Sequence, residues 1–110
     1  SPIDQVQTNT ANATATISTT LPSAPLATSM QYSVVARSGG TVPVAGTGNT
    51  LLSQGLAPPI ASQCATGRQT NTQTWTTNAD SAMVTIDFSA SGTGEDGTQG
   101  ENGKVVPFLV

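Results

Sequence analysis

The sequence has few of the groups that enzymes use to move protons or to hold metals. Its 110 residues include no His, one Cys, three Lys and Arg residues together and six Asp and Glu residues. General acid–base catalysis and zinc binding both draw on His, Cys and carboxylates. Cys64 has no His to serve as its base, which excludes the usual activated thiol. The sequence therefore predicts a protein that is not an enzyme and that needs no metal ion or cofactor.

Positive charge is also scarce. Arg37, Arg68 and Lys104 lie far apart in the sequence, the formal net charge is −3 and the pI is about 4.2. Nucleic acids and anionic membrane surfaces are bound by clustered Lys and Arg. No apolar run approaches the length of about 18 residues that indicates a membrane-spanning helix. We therefore expect no nucleic-acid partner and no insertion into a membrane.

The chain has no second Cys, so Cys64 cannot form an internal disulfide. Apolar residues make up 35% of the chain, and we expect a thin core. Apolar burial contributes about 25 cal/mol per Å², against a cost of about 1.5 kcal/mol of conformational entropy for each ordered residue. Oligomerisation is a common way to stabilise such a domain.

We expect Cys64 to be a buried, inert thiol, with an intermolecular disulfide as the alternative.

The chain is rich in Thr, Ser, Ala, Gly, Asn and Gln, which separate short runs of Val and Ile. Thr and the β-branched apolar residues fit a pleated, half-buried surface. Eleven Gly and seven Pro supply many turns, and no helical periodicity persists. The sequence predicts an all-β fold: a single antiparallel β-sandwich, Ig-like or jelly-roll-like, with about six or seven short strands, long loops and little or no helix. We expect one domain over residues 1–110.

Alternation of residue types predicts where the first strands lie. In residues 11–21, small apolar residues alternate with Thr and Ser, as in a strand of period two. Residues 30–37 predict a second strand, and the Gly pair that follows predicts a hairpin turn into residues 41–46. Pro43 favours an edge position for the latter segment, because Pro has no N–H to donate to a sheet.

Two later segments predict strands with assigned faces. Residues 69–77 set four Thr on one face and Trp75 on the other, so we expect a solvated Thr face with Trp75 covering the core. Residues 82–88 alternate most regularly of all. The alternation predicts that three apolar side chains of this strand form the core together with Trp75, namely Val84, Ile86 and Phe88. The residues between them are expected to face outward, namely Met83, Thr85 and Asp87.

Two stretches are predicted to be loops. Residues 46–67 contain several Gly and a Pro pair, and we expect a long loop with one helical turn at 51–54. Residues 89–103 are rich in Gly and carry two turn signals. This second loop carries side-chain oxygen atoms that could bind calcium, on Glu95, Asp96, Glu101 and Asn102. Their spacing matches no EF-hand loop, so a solvated loop is favoured over a calcium site.

The most apolar stretch is residues 104–110, KVVPFLV. We expect it to dock on its own sheet or on the sheet of a neighbouring copy. Residues 1–21 are expected to form an N-terminal strand that is exchanged between copies, docked on a neighbour or frayed. Strand addition at chain ends joins subunits through main-chain hydrogen bonds. The predicted assembly interface consists of apolar residues from both terminal strands: Ala13, Ala15, Ile17, Val105, Val106, Phe108 and Leu109.

The composition resembles that of bacterial and archaeal surface-filament subunits and of small β-rich virion shell proteins, which share the low charge and the Thr, Ser, Ala, Gly and Asn bias. The resemblance implies a structural subunit of an extracellular filament of the pilus or fimbria type, or of another cell-surface assembly, whose partners are copies of itself. A first residue of Ser rather than Met agrees with a processed, secreted product. One alternative is a capsid-decorating or projecting domain of a virion. Another is a carbohydrate-binding or adhesin module, with Trp75 exposed beside Tyr32 to bind a surface glycan or host receptor.

Overall fold

The computed structural model describes residues 2–56 and 58–89. These residues form strands and no helix, so none of them belongs to a helix that could cross a membrane. In chain order, the strands are β1 (Ile3–Thr20), β2 (Met30–Arg37), β3 (Val44–Ala45), β4 (Thr50–Gln54), β5 (Ile60–Thr66) and β6 (Thr70–Phe88).

All six strands belong to one antiparallel sheet with the order β1-β6-β2-β5-β4, and β3 also pairs with β6. The prediction of an all-β antiparallel fold is therefore confirmed. The sheet is open, because β1 and β4 each have a sheet neighbour on one side only. A sandwich of two separate sheets is not confirmed, because the described residues form a single open sheet.

Two strands are far longer than the short strands that the sequence predicted. β1 has 18 residues and β6 has 19. They pair from Ile3 with Phe88 to Thr20 with Thr70, as one long antiparallel ribbon. Both strands are rich in Thr and in small or β-branched residues, which suit a pleated surface. The N-terminal strand therefore begins well before the alternation noted at residue 11, and it pairs within its own chain.

The long ribbon is interrupted by β-bulges near its middle. Between the pairs Ala11–Ser81 and Thr14–Ala79 the extra residue lies on β1, and before Thr16–Thr74 the extra residues lie on β6. Bulges bend a strand and increase its local twist. Ala13 has φ of 51°, a left-handed conformation that is uncommon for Ala.

Two side chains stabilise this bend. The backbone N–H of Ala13 donates to Oδ1 of Asp80 at 2.9 Å, and the indole Nε1 of Trp75 donates to the carbonyl of Thr14 at 3.1 Å. Ser38 contacts the same place from the end of β2, since its N–H donates to the carbonyl of Asp80 at 2.8 Å. Backbone groups that the bulges remove from the ladder therefore regain partners.

The bend folds the ribbon back over itself. The hydroxyls of Thr19 and Thr85 lie 2.6 Å apart, although Thr19 pairs in the sheet with Asn71. Positions 71 and 85 are fourteen residue steps apart along β6, which would span about 46 Å in a straight strand. The two halves of the ribbon therefore face each other, and the side chains between them form the interior.

The apolar part of the interior is small and lies close to the bend. Five buried residues form its cluster: Ile17, Val35, Trp75, Ala79 and Met83. Ala11 and Ala15 pack against this cluster as partly buried residues. The prediction that Trp75 covers the core is confirmed, because only 4% of its surface is exposed. The solvated Thr face opposite Trp75 is present only in part, since Thr70 and Thr76 are exposed but Thr72 and Thr74 are half-buried.

The predicted inward and outward faces of residues 82–88 are reversed. Met83, Thr85 and Asp87 are buried, whereas Val84, Ile86 and Phe88 are half-buried on the opposite side of the sheet. The strand itself is where the alternation placed it. The face is determined by the folded-over half of the ribbon, which covers the polar side of β6. Period-two alternation marks two faces, but it does not say which of them another layer will cover.

Two further expectations were wrong. Residues 46–67 are not one long loop with a helical turn, because β4 and β5 lie there and pair with each other. Residues 41–46 form no hairpin with β2, because β5 and β6 already flank β2 along its length. The short β3 pairs instead with the first half of β6, and Pro43 precedes it at this edge.

A substitution at Ala13 tests the bend. Ala13→Gly is expected to leave the free energy of unfolding unchanged within about 1 kcal/mol, because relief of left-handed strain and added freedom of the unfolded chain oppose each other. Ala13→Val should lower the free energy of unfolding by about 1–3 kcal/mol, because a β-branched residue is poorly tolerated at positive φ. Urea denaturation measures both changes. The control is Ala24→Val, at an exposed loop position without positive φ, where no such loss is expected. Equal effects of the two Val substitutions would contradict a strained bend.

Candidate assembly surface

The inner face of the sheet is mainly polar, which limits what it can do chemically. The hydroxyl of Thr85 lies 2.6 Å from that of Thr19 and 2.7 Å from that of Ser33, and all three residues are buried. Next to them, Nε2 of Gln31 donates to Oδ1 of Asp87 at 2.8 Å. Asp87 is 1% exposed, so its carboxylate is held by amide donors inside the fold. Such a network closes the interior and leaves no open site around the carboxylate.

Amide side chains extend this network between the layers. Gln63 on β5 donates from Nε2 to the backbone carbonyl of Thr72 at 3.0 Å. Gln73 on β6 donates from Nε2 to Oε1 of Gln63 at 3.3 Å. Both Gln side chains are fully buried. The β5 side of the sheet is therefore joined to the folded-over half of β6 by hydrogen bonds rather than by apolar contacts.

Arg37 lies at the other end of the interior, close to the bend. Its guanidinium stands 5.3 Å from the ring centroid of Trp75, within the range of a cation–π contact. Nη1 also donates to the carbonyl of Thr41 at 2.5 Å. Burial lowers the pKa of Arg37 from its ordinary value. The contacts of Arg37 with the loop after β2 and with Trp75 give it a structural role here.

Within residues 2–56 and 58–89, no three His, Cys, Asp or Glu side chains come together to hold a metal ion. Cys64 is a free thiol and is half-buried, rather than buried as expected. Trp75 and Tyr32 do not form a sugar-stacking platform, since Trp75 is buried on the inner face and Tyr32 lies on the outer face. The predicted loop with Glu95, Asp96, Glu101 and Asn102 lies outside the described residues.

The outer face of the sheet carries the apolar side chains that the interior lacks. The register places Val34 beside Val84 and Tyr32 beside Ile86 on β2 and β6, and it places Val6 on β1 beside Ile86. We call this surface the outer apolar face. Its members come from four adjacent strands: Ile3, Val6, Met30, Tyr32, Val34, Ala36, Ile60, Cys64, Ala82, Val84, Ile86 and Phe88.

Large side chains of the outer apolar face are open to solvent. Ile3 is 45% exposed, Val6 48%, Met30 51% and Ile60 44%. The residues between them, such as Val84 and Ile86, are half-buried only by their own neighbours within the sheet. Scattered exposed apolar residues are normal, but a contiguous apolar surface marks an interaction site.

A shallow groove of about 300 Å³ crosses the outer apolar face. Its floor is β6, and its sides are β1 and β2. The register explains the groove, because Ala82 pairs with Ala36 on one side and with Thr10 on the other. Small side chains on three neighbouring strands leave a depression, which Val34 and Val84 border. Apolar side chains of a partner could enter it.

The open edge of β1 is partly covered by side chains. Nδ2 of Asn9 donates to the carbonyl of Ser18 at 2.7 Å, and Nε2 of Gln5 donates to the carbonyl of Ser23 at 2.9 Å. The first bond joins the two parts of β1 on either side of the bend, and the second joins β1 to the loop that follows it. Side chains and bulges at an edge strand oppose the pairing of another strand there.

The predicted interface residues do not share one surface. Ile17 is 2% exposed and belongs to the core, Ala15 packs against that core, and Ala13 is exposed at the bend. The four predicted C-terminal interface residues lie outside the described residues: Val105, Val106, Phe108 and Leu109. Sequence reasoning missed the outer apolar face, although the alternation in residues 30–36 and 82–88 contains every residue that the two central strands contribute to it.

The polar interior is tested by removing one hydroxyl. Thr85→Val preserves the shape of the side chain but leaves the buried hydroxyls of Thr19 and Ser33 without their shared partner. We expect the free energy of unfolding to fall by about 1–3 kcal/mol. Thr8→Val makes the same change at an exposed position of β1, where an effect within about 0.5 kcal/mol is expected. Chemical denaturation compares the two variants. A Thr85→Val chain as stable as the parent chain would contradict the network.

The comparisons with known proteins assign the chain to no family. No family model, no curated protein and no solved structure matches the chain. The function is therefore argued from the surfaces of the sheet.

Proposed function

We propose that this chain is a non-enzymatic structural subunit that assembles with copies of itself by burying its outer apolar face. The observation that carries the proposal is the distribution of side chains over the two faces of the sheet. Hydrogen-bonded polar side chains fill much of the interior, while four large apolar side chains of the outer face are exposed, namely Ile3, Val6, Met30 and Ile60. We infer an extracellular filament or a cell-surface assembly as its setting, in line with the low charge and the Thr-rich composition.

The energetics favour burial of this face in a complex. Burying a Val, Ile or Met side chain contributes about 1.5–3 kcal/mol relative to leaving it exposed. Ile3, Val6, Met30 and Ile60 are each exposed by more than two fifths of their surface, so about half of this contribution is still available to a partner. The small apolar cluster around Trp75 leaves the isolated chain with little apolar burial of its own, and association supplies more.

The proposed contact is also related to the β-sandwich that the sequence predicts. The folded ribbon already covers the inner face of the sheet. A partner on the outer apolar face would cover the other side, so that both faces of the open sheet are packed. Contact through this face is favoured over strand addition at β1, because bulges interrupt that edge strand and the carbonyl of Ser18 already accepts from Asn9. The terminal strand β1 then contributes side chains such as Ile3 and Val6 to the contact rather than an exchanged backbone.

Charged substitutions on the face test the proposal. Val6→Glu and Met30→Glu should each weaken self-association at least tenfold, since they place a carboxylate within the buried contact. Val42→Glu is the matched control, because Val42 is 52% exposed, close to the 48% of Val6, and lies in the loop between β2 and β3. Sedimentation over a range of concentrations measures association, and urea denaturation checks that each variant folds.

Two results would overturn the proposal: a full chain that stays monomeric at every concentration, or Val6→Glu and Met30→Glu chains that associate as the parent chain does. Negative-stain microscopy of the parent chain separates the two kinds of assembly that the sequence left open. Open fibres support the filament, whereas closed rings or trimers favour a subunit that decorates a virion.

A further inference from the structure

The groove of the outer apolar face restricts what can cover it. Ala82 and Ala36 form a depression between larger neighbours, so the complementary surface must carry a projecting apolar side chain. A flat copy of the same face would leave this depression unfilled, and unfilled space in an apolar contact forfeits dispersion energy. The groove therefore favours an apolar segment over a symmetric contact between two sheets.

Residues 104–110 have the composition that the groove requires. Five of these seven residues are Val, Phe or Leu, and no other stretch of the chain is as apolar. The other terminal candidate, β1, is already paired with β6 from Ile3 to Thr20. Pro107 lies inside the segment and has no N–H to donate, which disfavours its pairing on both sides within a sheet. Contact through side chains on a sheet face carries no such restriction.

The chain leaves the described sheet next to the same face. The N–H of Ser89 donates to the carbonyl of Pro2 at 2.9 Å, which places the end of β6 beside the start of β1. Phe88, the residue before, belongs to the outer apolar face. Fourteen residues, 90–103, separate Ser89 from the apolar segment, and a chain of that length spans at most about 50 Å. A connection of this length allows the segment to reach an adjacent copy.

We propose that residues 104–110 of one copy dock on the outer apolar face of the next copy, with Phe108 in the groove over Ala82. The inference rests on the proposed function and names the partner of that same surface. Each copy then offers one segment and one face, so the contact is heterologous. A heterologous contact that does not close into a ring generates an open filament.

Complementation between two full-length variants tests this directly. Phe108→Ser removes the projecting side chain and leaves the face intact, whereas Ala82→Leu fills the groove and leaves the segment intact. Each variant alone is expected to lose self-association at least tenfold. An equimolar mixture should form dimers and nothing larger, because the intact segment of Ala82→Leu can dock on the intact face of Phe108→Ser. Val42→Ser serves as the control for loss of an exposed apolar side chain, and denaturation midpoints check folding.

The outcomes separate this inference from the proposed function. If Phe108→Ser associates as the parent chain does while Val6→Glu does not, the face is an assembly surface but residues 104–110 are not its occupant. If both variants alone are monomeric and their mixture is also monomeric, docking between copies by one segment and one face is overturned. If Val6→Glu and Met30→Glu also associate normally, the proposed function itself fails.

Discussion

The shared hydrogen bonding of Thr19, Thr85 and Ser33 is the interaction on which the rest of the structure depends. It joins residues from both halves of the long β1–β6 ribbon and from β2. These hydroxyls can meet only if the ribbon folds back on itself, which in turn requires the bulges and the left-handed Ala13. Once the halves are face to face, every buried polar group near them needs a partner, since an unpaired one costs about 1–3 kcal/mol. The amide N–H groups of Gln31, Gln63 and Gln73 extend this hydrogen bonding along the interior, whereas Oε1 of Gln73 is buried without a partner among the described residues.

The polar interior has a direct consequence for the other side of the sheet. Because side chains alternate across a strand, placing Thr85 and Asp87 inside places Val84 and Ile86 outside. The same holds on β2, where Ser33 is buried and Val34 lies on the outer face. The outer apolar face is therefore not a separate feature of the surface. It is the reverse side of the hydrogen-bonded interior, and the proposed assembly contact follows from the register that buries the network.

Local patterns predicted part of this structure. Alternation located β2 and the second half of β6, and it placed Trp75 inside and the neighbouring Thr residues outside. It could not decide which face of residues 82–88 is covered, because that depends on Thr19, more than sixty residues away in sequence. The Gly and Pro content of residues 46–67 hid β4 and β5, whose pairing is likewise a matter of tertiary contacts. The candidate surface was missed for the same reason: three of its residues, Val84, Ile86 and Phe88, are predicted by the alternation to lie in the core.

The two faces of the sheet divide the energetic roles in the proposed assembly. Hydrogen bonds are directional, so the inner network favours one register of the ribbon over its slipped alternatives. Apolar contact is much less directional and grows with area, which suits a surface that must hold a neighbouring copy. Substitutions inside, as at Thr85, should then act mainly on unfolding, and substitutions outside, as at Val6, mainly on association. Residues far apart and without shared partners usually act additively. Stability of the subunit and strength of the assembly can therefore vary independently, although both arise from alternate residues of the same strands.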